Sequence, residues 1–188
     1  MRELRDLLAG IPFEIKTLAD YPPFLMPEET GTTYEANALI KARAAAAHTG
    51  VLALGDDSGI EVDALGGAPG VRSARFGGPT LDDRGRVQHL LRQIAHVPDA
   101  KRTARFVCVI ALVAPDGDET IVEGACAGLI TREPRGTEGF GYDPVFFYPP
   151  FGVTFGEVDD ARKATVSHRG LAAAAARAAL SRRRSAEG

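Results

Sequence analysis

Two adjacent carboxylates, Asp56 and Asp57, follow a short apolar run at residues 51–54. That run has the length and character of a buried strand, which we expect to end at Gly55. In open α/β sheets, ligand sites commonly lie where such strands end. Adjacent aspartates repel each other and lose hydration on burial, so the pair requires a cation or several hydrogen bonds. Carboxylate oxygens suit a hard divalent ion, and the pattern favours Mg²⁺.

An alternative explanation of the same residues needs no ligand. The sequence Asp-Asp-Ser-Gly at 56–59 is also typical of a turn that hydrogen-bonds its own backbone, and spacing alone favours that turn. The residues that follow favour a ligand, because a glycine-rich run lets the backbone approach a bound molecule closely. Arg72 and Arg75, three residues apart, would suit an anionic partner.

A second block of residues suited to binding spans 132–147 and contains Phe140-Gly141-Tyr142-Asp143-Pro144. An aromatic face can stack on a purine, and a neighbouring glycine lets the backbone come close. Asp143 can accept hydrogen bonds from a base edge or orient another binding residue. A glycine-rich loop whose aromatic side chains pack into the core is the structural alternative.

A third block comprises Lys163 and Ser167-His168-Arg169-Gly170, directly before a long alanine-rich segment. The N-terminal end of a helix flanked by cationic side chains is a natural site for an anion or a carbonyl group. A lone histidine at a helix start is usually structural, so this block indicates binding only together with the other two.

Read as whole strings, the three blocks resemble one enzyme family. DDSGIEVDALGGAPGVRSARFGG, GFGYDPVFF and SHRG are similar to the motifs of the inosine/xanthosine triphosphate pyrophosphatases, which destroy non-standard purine nucleoside triphosphates. The resemblance covers nearly the whole chain. It implies Mg²⁺-dependent hydrolysis of ITP or dITP and of XTP to the monophosphate and pyrophosphate, in a homodimer.

The resemblance also implies roles for individual residues. The metal would be held by Glu29, Asp56 and Asp57, and Asp57 would be the base that activates the attacking water. The remaining positions would contact the substrate: Lys41, Ser58, Phe140, Gly141, Tyr142, Asp143, Lys163, His168 and Arg169. Discrimination would come from donors aimed at the 6-keto group, which adenine lacks.

The sequence departs from the family pattern at its start. Members of the family typically begin with a strand and a Ser/Thr-Gly-Asn-x-x-Lys loop that leads into a helix resembling MRELRDLL, where this sequence begins. We therefore expect the first strand and the phosphate-binding lysine to be absent from a single pyrophosphatase domain, 1–188. Ala36 also stands where the family commonly has a glutamate. The alternative function is a catalytically silent nucleotide-binding protein.

Composition excludes several other classes of protein. The chain has 188 residues, 45% of them hydrophobic and 25% charged, which is ordinary for a soluble globular protein. A net charge of −3 argues against a general nucleic-acid binder. No apolar stretch is long enough for a membrane span, and the first residues lack a secretory signal. Cys108 and Cys126 lack metal-ligand spacing, so we expect free thiols in the cytoplasm.

The pattern of apolar residues and turn signals predicts both helices and strands. Helices are expected over 1–10, from Thr32 or Thr33 to Gly50, over 81–96, and from 168 to about 184; strands are expected over 11–18, 51–54, 104–114, 120–127, 129–131 and 145–147. The fold class is therefore α/β. The family further implies a long, mixed, twisted central sheet flanked by helices, with two lobes and an active-site cleft between them.

Overall fold

The computed structural model describes residues 2–11 and 13–187. Its α-helices are α1 (Arg2–Leu7), α2 (Tyr34–Thr49), α3 (Asp83–Gln93), α4 (Asp160–Ala164) and α5 (His168–Glu187). Its strands are β1 (Ala53–Val62), β2 (Thr103–Val113), β3 (Glu119–Ile130), β4 (Phe146–Tyr148) and β5 (Val153–Thr154). The five strands form one sheet in sequence order, β1-β2-β3-β4-β5. β4 pairs antiparallel with both β3 and β5. The predicted α/β class, with a central sheet flanked by helices, is confirmed.

Helix α2 begins and ends where its sequence signals predict. The Thr33 hydroxyl oxygen accepts a hydrogen bond from the backbone N–H of Ala36 at 3.1 Å, which satisfies one of the free donors of the first turn. Gly50 ends the helix with a φ of 67°, in the left-handed region that favours glycine. Its seven alanines leave few large side chains on the surface of the helix, so α2 can pack closely on a neighbour.

The strand predicted over 11–18 is wrong for its described residues, which form irregular structure followed by a short 3₁₀ turn, Leu18–Asp20. The Asp20 carboxylate accepts hydrogen bonds from the Thr17 backbone N–H at 2.7 Å and from its hydroxyl at 2.9 Å. The first of these bonds satisfies locally the Thr17 backbone N–H, which a strand would have to pair with a neighbouring strand. Of the helix predicted over 1–10, the structure has α1, Arg2–Leu7, and Met1 lies outside the described residues.

Strand β1 is longer than predicted. It does not end at Gly55 but continues through Asp56, Asp57 and Ser58 to Val62, so the turn proposed for Asp-Asp-Ser-Gly is also wrong. Gly55 and Asp57 are buried while Asp56 is only partly buried, which is the alternation expected of a pleated strand.

The chain forms two compact units, each with its own core. The first includes residues within 1–57, 108–124 and 168–188. Its core contains these residues: Leu4, Leu8, Cys108, Ile110, Leu112, Ala172, Ala173, Ala176, Ala179 and Leu180. The alanine face of α5 therefore packs against apolar side chains of β2 and α1. Arg177 of α5 also donates to the Leu7 and Ala9 carbonyl oxygens at the end of α1.

The second unit comprises residues 58–107 and 125–167. Its core includes the rings of Phe106, Phe146 and Phe155, with centroids 4.5 Å apart for the first two and 5.0 Å apart for the last two. Tyr142 and Leu90 belong to the same core.

The single pyrophosphatase domain and the active-site cleft stay predictions. None of the described helices has the length and apolar character needed to cross a membrane.

Candidate functional site

Close packing of α2 on β1 positions the first group of predicted site residues. A Cβ atom added at Gly55 of β1 would lie 2.5 Å from the Ala38 carbonyl oxygen and 2.7 Å from the Ala42 backbone nitrogen. Both alanines are fully buried. Only a residue without a side chain allows this approach. It brings Asn37 and Lys41, the residues just before Ala38 and Ala42 in α2, within reach of Asp57, which lies on the same face of β1 as Gly55.

Three charged residues meet there, and we call Glu29, Lys41 and Asp57 the carboxylate–lysine cluster. The Lys41 Nζ atom lies 2.9 Å from Glu29 Oε1 and 3.4 Å from Asp57 Oδ1. The side chains of Lys41 and Asp57 are 18% and 10% exposed. The other oxygen of Asp57, Oδ2, accepts a hydrogen bond from the Asn37 amide nitrogen at 3.0 Å. Both carboxylate oxygens of Asp57 therefore face a donor from α2.

Burial raises the pKa of the Asp57 carboxyl above its ordinary value, because the charged form loses hydration. The hydrogen bond from Asn37 and the charge of Lys41 oppose that rise, while the negative charge of Glu29 adds to it. The pKa of Asp57 is therefore set by a balance between desolvation and the donors of α2.

Asp56 points to other partners, because successive side chains of a strand lie on opposite faces. Its Oδ2 atom is 3.5 Å from a guanidinium nitrogen of Arg169, in the first turn of α5. Another nitrogen of Arg169 donates to Glu3 of α1 at 2.7 Å. The predicted substrate contact Arg169 thus lies between two carboxylates, Asp56 and Glu3, within the first unit.

The three predicted metal ligands are not gathered around one point. Over the described ranges, 2–11 and 13–187, no three or more His, Cys, Asp and Glu side chains are arranged to hold a metal ion. Glu29 and Asp57 do share a cationic neighbour, the Lys41 ammonium. Their carboxylate oxygens are the donors that a hard divalent ion prefers, and a bound cation would offset the desolvation of Asp57. This pair therefore fits such an ion by the chemistry of its donors.

The second group of predicted residues lies in the loop between β3 and β4 and in α4. The Lys163 Nζ atom is 2.5 Å from Asp143 Oδ2, and these side chains are only 4% and 3% exposed. The same carboxylate oxygen accepts the backbone N–H of Phe140 at 2.8 Å. Gly139 has a φ of 71°, and a Cβ atom there would lie 2.1 Å from Asp143 Oδ2. Asp143 therefore ties the loop to α4.

Two further contacts fix this loop within the second unit. The Gly141 backbone N–H donates to Asp83 Oδ2 at 3.0 Å, and the Tyr142 hydroxyl donates to the Ser73 carbonyl oxygen at 3.0 Å. Tyr142 is buried, which raises the pKa of its phenol to about 12. The Phe140 side chain, in contrast, is 54% exposed. The loop thus presents one aromatic ring to solvent from a firmly held backbone.

The other predicted site residues have simpler placements. Ser58 follows Asp57 in β1 and is partly buried. His168 is the first residue of α5 and is 6% exposed. The structure thus brings Glu29, Lys41 and Asp57 together in the first unit. It brings Phe140, Gly141, Tyr142, Asp143 and Lys163 together in the second.

Sequence reasoning missed several buried polar residues, among them Asn37 and Arg102. Asn37 is fully buried in α2, and a polar residue four positions before Lys41 in an alanine-rich helix was the available signal. Arg102 is 2% exposed and donates to three carbonyl oxygens, those of Ile130, Ile94 and Thr131, at 2.8, 2.7 and 2.8 Å. Nothing in the sequence around Arg102 distinguishes it from an exposed arginine.

Comparison with known proteins adds independent information. The model of the Ham1 family matches residues 1–179. The dITP/XTP pyrophosphatase of Desulforamulus reducens is 49% identical over 172 residues, which are 92% of this chain and 86% of that protein. The dITP/XTP pyrophosphatase of Thermus thermophilus is also 49% identical over 172 residues, 92% of this chain and 82% of that protein.

Solved structures resemble the fold over most of its length. A HAM1 protein from Coxiella burnetii superposes with a TM-score of 0.87 at 40% identity, covering 96% of this chain and 92% of that one. A nucleoside-triphosphatase / dITP/XTP pyrophosphatase from Mycobacterium abscessus superposes with a TM-score of 0.77 at 45% identity, covering 93% and 90% of the two chains.

Proposed function

The chain belongs to the Ham1 family, and from this premise we propose that it hydrolyses ITP or dITP and XTP to the monophosphate and pyrophosphate, with Mg²⁺. The relatives named dITP/XTP pyrophosphatase support the choice of substrate. The observation that carries the chemistry is the carboxylate–lysine cluster, in which one ammonium lies between two carboxylates. Such a cluster combines a base for water with charges that suit a metal and phosphates.

In this proposal, Asp57 accepts a proton from the attacking water. The water oxygen forms a bond to the α-phosphorus, the bond from that phosphorus to the bridging oxygen breaks, and pyrophosphate leaves with the electron pair. Mg²⁺, when held by Glu29 and Asp57, would neutralise phosphate charge and favour an in-line attack. Lys41 follows the charge that develops on the leaving pyrophosphate, since its flexible stem lets the ammonium turn from Glu29.

Binding roles are proposed separately for the other predicted residues. Phe140 stacks on the purine, because its ring is exposed while its backbone is held. Asp143 and Lys163 hold the loop that carries this ring. Contacts to phosphates or to sugar and base atoms are proposed for Ser58, His168 and Arg169, and Asp56 as a third metal ligand stays a prediction.

The oligomeric state and the cellular location complete the proposal. We propose a homodimer because the resembling pyrophosphatases usually form one, and light scattering would measure the mass in solution. We propose a cytoplasmic location because the free thiols Cys108 and Cys126 are both buried and unpaired with each other. No nucleic acid is proposed as a partner, in keeping with the net charge of −3.

The experiment that tests the function is pyrophosphate release from dITP, XTP and dGTP by the 188-residue chain. We expect turnover of dITP and XTP but not dGTP, loss of turnover with EDTA, and recovery when Mg²⁺ is added. Asp57→Asn should lower the rate by about 10²–10⁴-fold, as removal of a general base does. Asp6→Asn, which alters an exposed carboxylate of α1, is the matched control and should turn over normally.

The outcomes separate the proposal from its alternative. Binding of ITP without any pyrophosphate release would support the silent nucleotide-binding protein instead. Neither binding nor turnover would contradict both functions. A normal rate for Asp57→Asn would leave the reaction standing but remove Asp57 from it.

A further inference from the structure

We propose that Asn37 is a positioning residue for Asp57: it fixes which carboxylate oxygen faces Lys41 and ties that carboxylate to the loop of Glu29. Asn37 is fully buried, so it does not contact substrate itself. Its amide makes two hydrogen bonds, with Gly31 and with Asp57, in two segments that carry members of the carboxylate–lysine cluster. The consequence for catalysis rests on the proposed function, whereas the positioning itself does not.

The first bond holds the loop that contains Glu29. The backbone N–H of Gly31, two residues after Glu29, donates to Asn37 Oδ1 at 2.8 Å. A Cβ atom at position 31 would lie 2.6 Å from the same oxygen, so the approach requires glycine. The buried Asn37 side chain therefore holds this loop against α2.

The first bond also determines the orientation of the amide. A backbone N–H can only donate, so the oxygen of Asn37 must face Gly31 and its NH₂ group must face Asp57. The NH₂ group then donates to Asp57 Oδ2 at 3.0 Å. The orientation follows from the network itself, and one buried amide sets both contacts.

The second bond determines which oxygen of Asp57 faces Lys41. Because Oδ2 is engaged by Asn37, the carboxylate is held with Oδ1 towards Lys41, at 3.4 Å from its Nζ atom. Asn37 and Lys41 are four residues apart and share a face of α2. Two side chains of α2 thus contact the two oxygens of the Asp57 carboxylate. The neutral Asn37 orients the carboxylate, and the charged Lys41 lies beside the oxygen that faces the proposed reaction.

The contact is tested first without any assay of activity. Urea unfolding is measured for the wild type, Asn37→Asp, Asp57→Asn and the exchanged double variant Asn37→Asp/Asp57→Asn. The exchanged variant restores a donor facing an acceptor and keeps an oxygen for Gly31, while Asn37→Asp alone places two carboxylates face to face. We expect a favourable coupling of about 5–100-fold in the unfolding equilibrium constant. Coupling below twofold would overturn the proposal.

The role in the reaction is tested by steady-state kinetics of dITP hydrolysis with Asn37→Ala. We expect kcat per folded molecule to fall about 10–100-fold while KM changes less than threefold, because a misplaced reacting group slows the reaction without losing a substrate contact. Ala45→Gly, at another buried position of α2, is the control for destabilisation alone and should keep the wild-type kcat. The exchanged variant should recover stability but not kcat, because its carboxylate lies on the helix.

These measurements distinguish three kinds of failure. Coupling in the unfolding cycle together with an inactive wild type would contradict the proposed function and leave Asn37 as the residue that orients Asp57. An active wild type with an unchanged kcat in Asn37→Ala would overturn the catalytic consequence. A fall in kcat that Ala45→Gly reproduces would show that α2 matters only for stability.

Discussion

Replacing Asp143 by asparagine should destabilise the protein far more than the loss of a surface charge would. The two side chains of the Asp143–Lys163 pair are 3% and 4% exposed, and their charged atoms are 2.5 Å apart. Asparagine keeps an oxygen that can accept the Phe140 backbone N–H, so the change removes the negative charge opposite Lys163 while that hydrogen bond can remain. Removing one partner of a buried ion pair costs about 3–5 kcal/mol, since the other charge stays buried without compensation.

The expected size of the effect can be measured by thermal unfolding. For a chain of this length, each kcal/mol lowers Tm by about 2–4 °C, so Asp143→Asn should lower it by about 6–20 °C. Asp99→Asn is the matched control, because it removes the same charge from an exposed ion pair. Asp99 pairs with Arg132, and the Asp99 side chain is 78% exposed. Exposed pairs contribute up to about 1 kcal/mol, so the control should shift Tm by no more than about 4 °C.

A third variant tests the physical cause. Asp143→Leu/Lys163→Met removes both charges, and replacing a buried pair with apolar side chains is often nearly neutral, so it should be more stable than Asp143→Asn. Similar small shifts for Asp143→Asn and Asp99→Asn would refute the reasoning. A double variant no more stable than Asp143→Asn would show that the hydrogen bond to Phe140, and not the unpaired lysine, controls the stability of the loop.

Two further predictions concern the packing of α2 and the buried thiols. Gly55→Ala should lower pyrophosphate release from dITP about 10²-fold, because its Cβ would lie 2.5 Å from the Ala38 carbonyl oxygen and displace α2 from Asp57; a wild-type rate would contradict this. Burial raises the pKa of Cys108 to about 12 and that of Cys126 to about 11, so at pH 8 thiolate fractions are about 10⁻⁴ and 10⁻³. Mass spectrometry should find little iodoacetamide labelling of the native protein at pH 8 and full labelling in urea, and rapid native labelling would disprove the burial argument.

Elements with local signals at both ends could be predicted from the sequence. Thr33 and Gly50 bound α2 as expected, because a cap and a left-handed glycine act on the residues beside them. The turn between β2 and β3 is also local, because the Gly117 backbone N–H donates to the Ala114 carbonyl oxygen, three residues earlier, at 3.0 Å. Apolar character alone gave a wrong prediction over 11–18, where no strand forms among the described residues. There the Thr17 backbone N–H donates to the Asp20 carboxylate instead of to a neighbouring strand.

Whole motifs indicate the candidate site, but they do not indicate its geometry. The string GFGYDPVFF at 139–147 is recognisable as a unit, whereas the burial of Tyr142 and Asp143 does not follow from their residue types, since tyrosine is intermediate in burial and aspartate is mostly exposed. Arg102 illustrates the same limit. Its three bonds to carbonyl oxygens join segments that lie far apart in sequence, so no local pattern indicates them.

The aspartate pair shows that adjacency in sequence does not predict shared partners. Reading Asp56 and Asp57 as one motif assumed a turn or a strand end, where neighbouring side chains can converge on one ion. Because β1 continues through them, the strand directs Asp56 to Arg169 and Asp57 to Asn37 and Lys41. Two like charges on opposite faces need separate compensation, and each has its own partner. Asp57 should therefore depend on α2 much more than on Asp56, which is why we expect its function to be sensitive to Asn37 and Gly55.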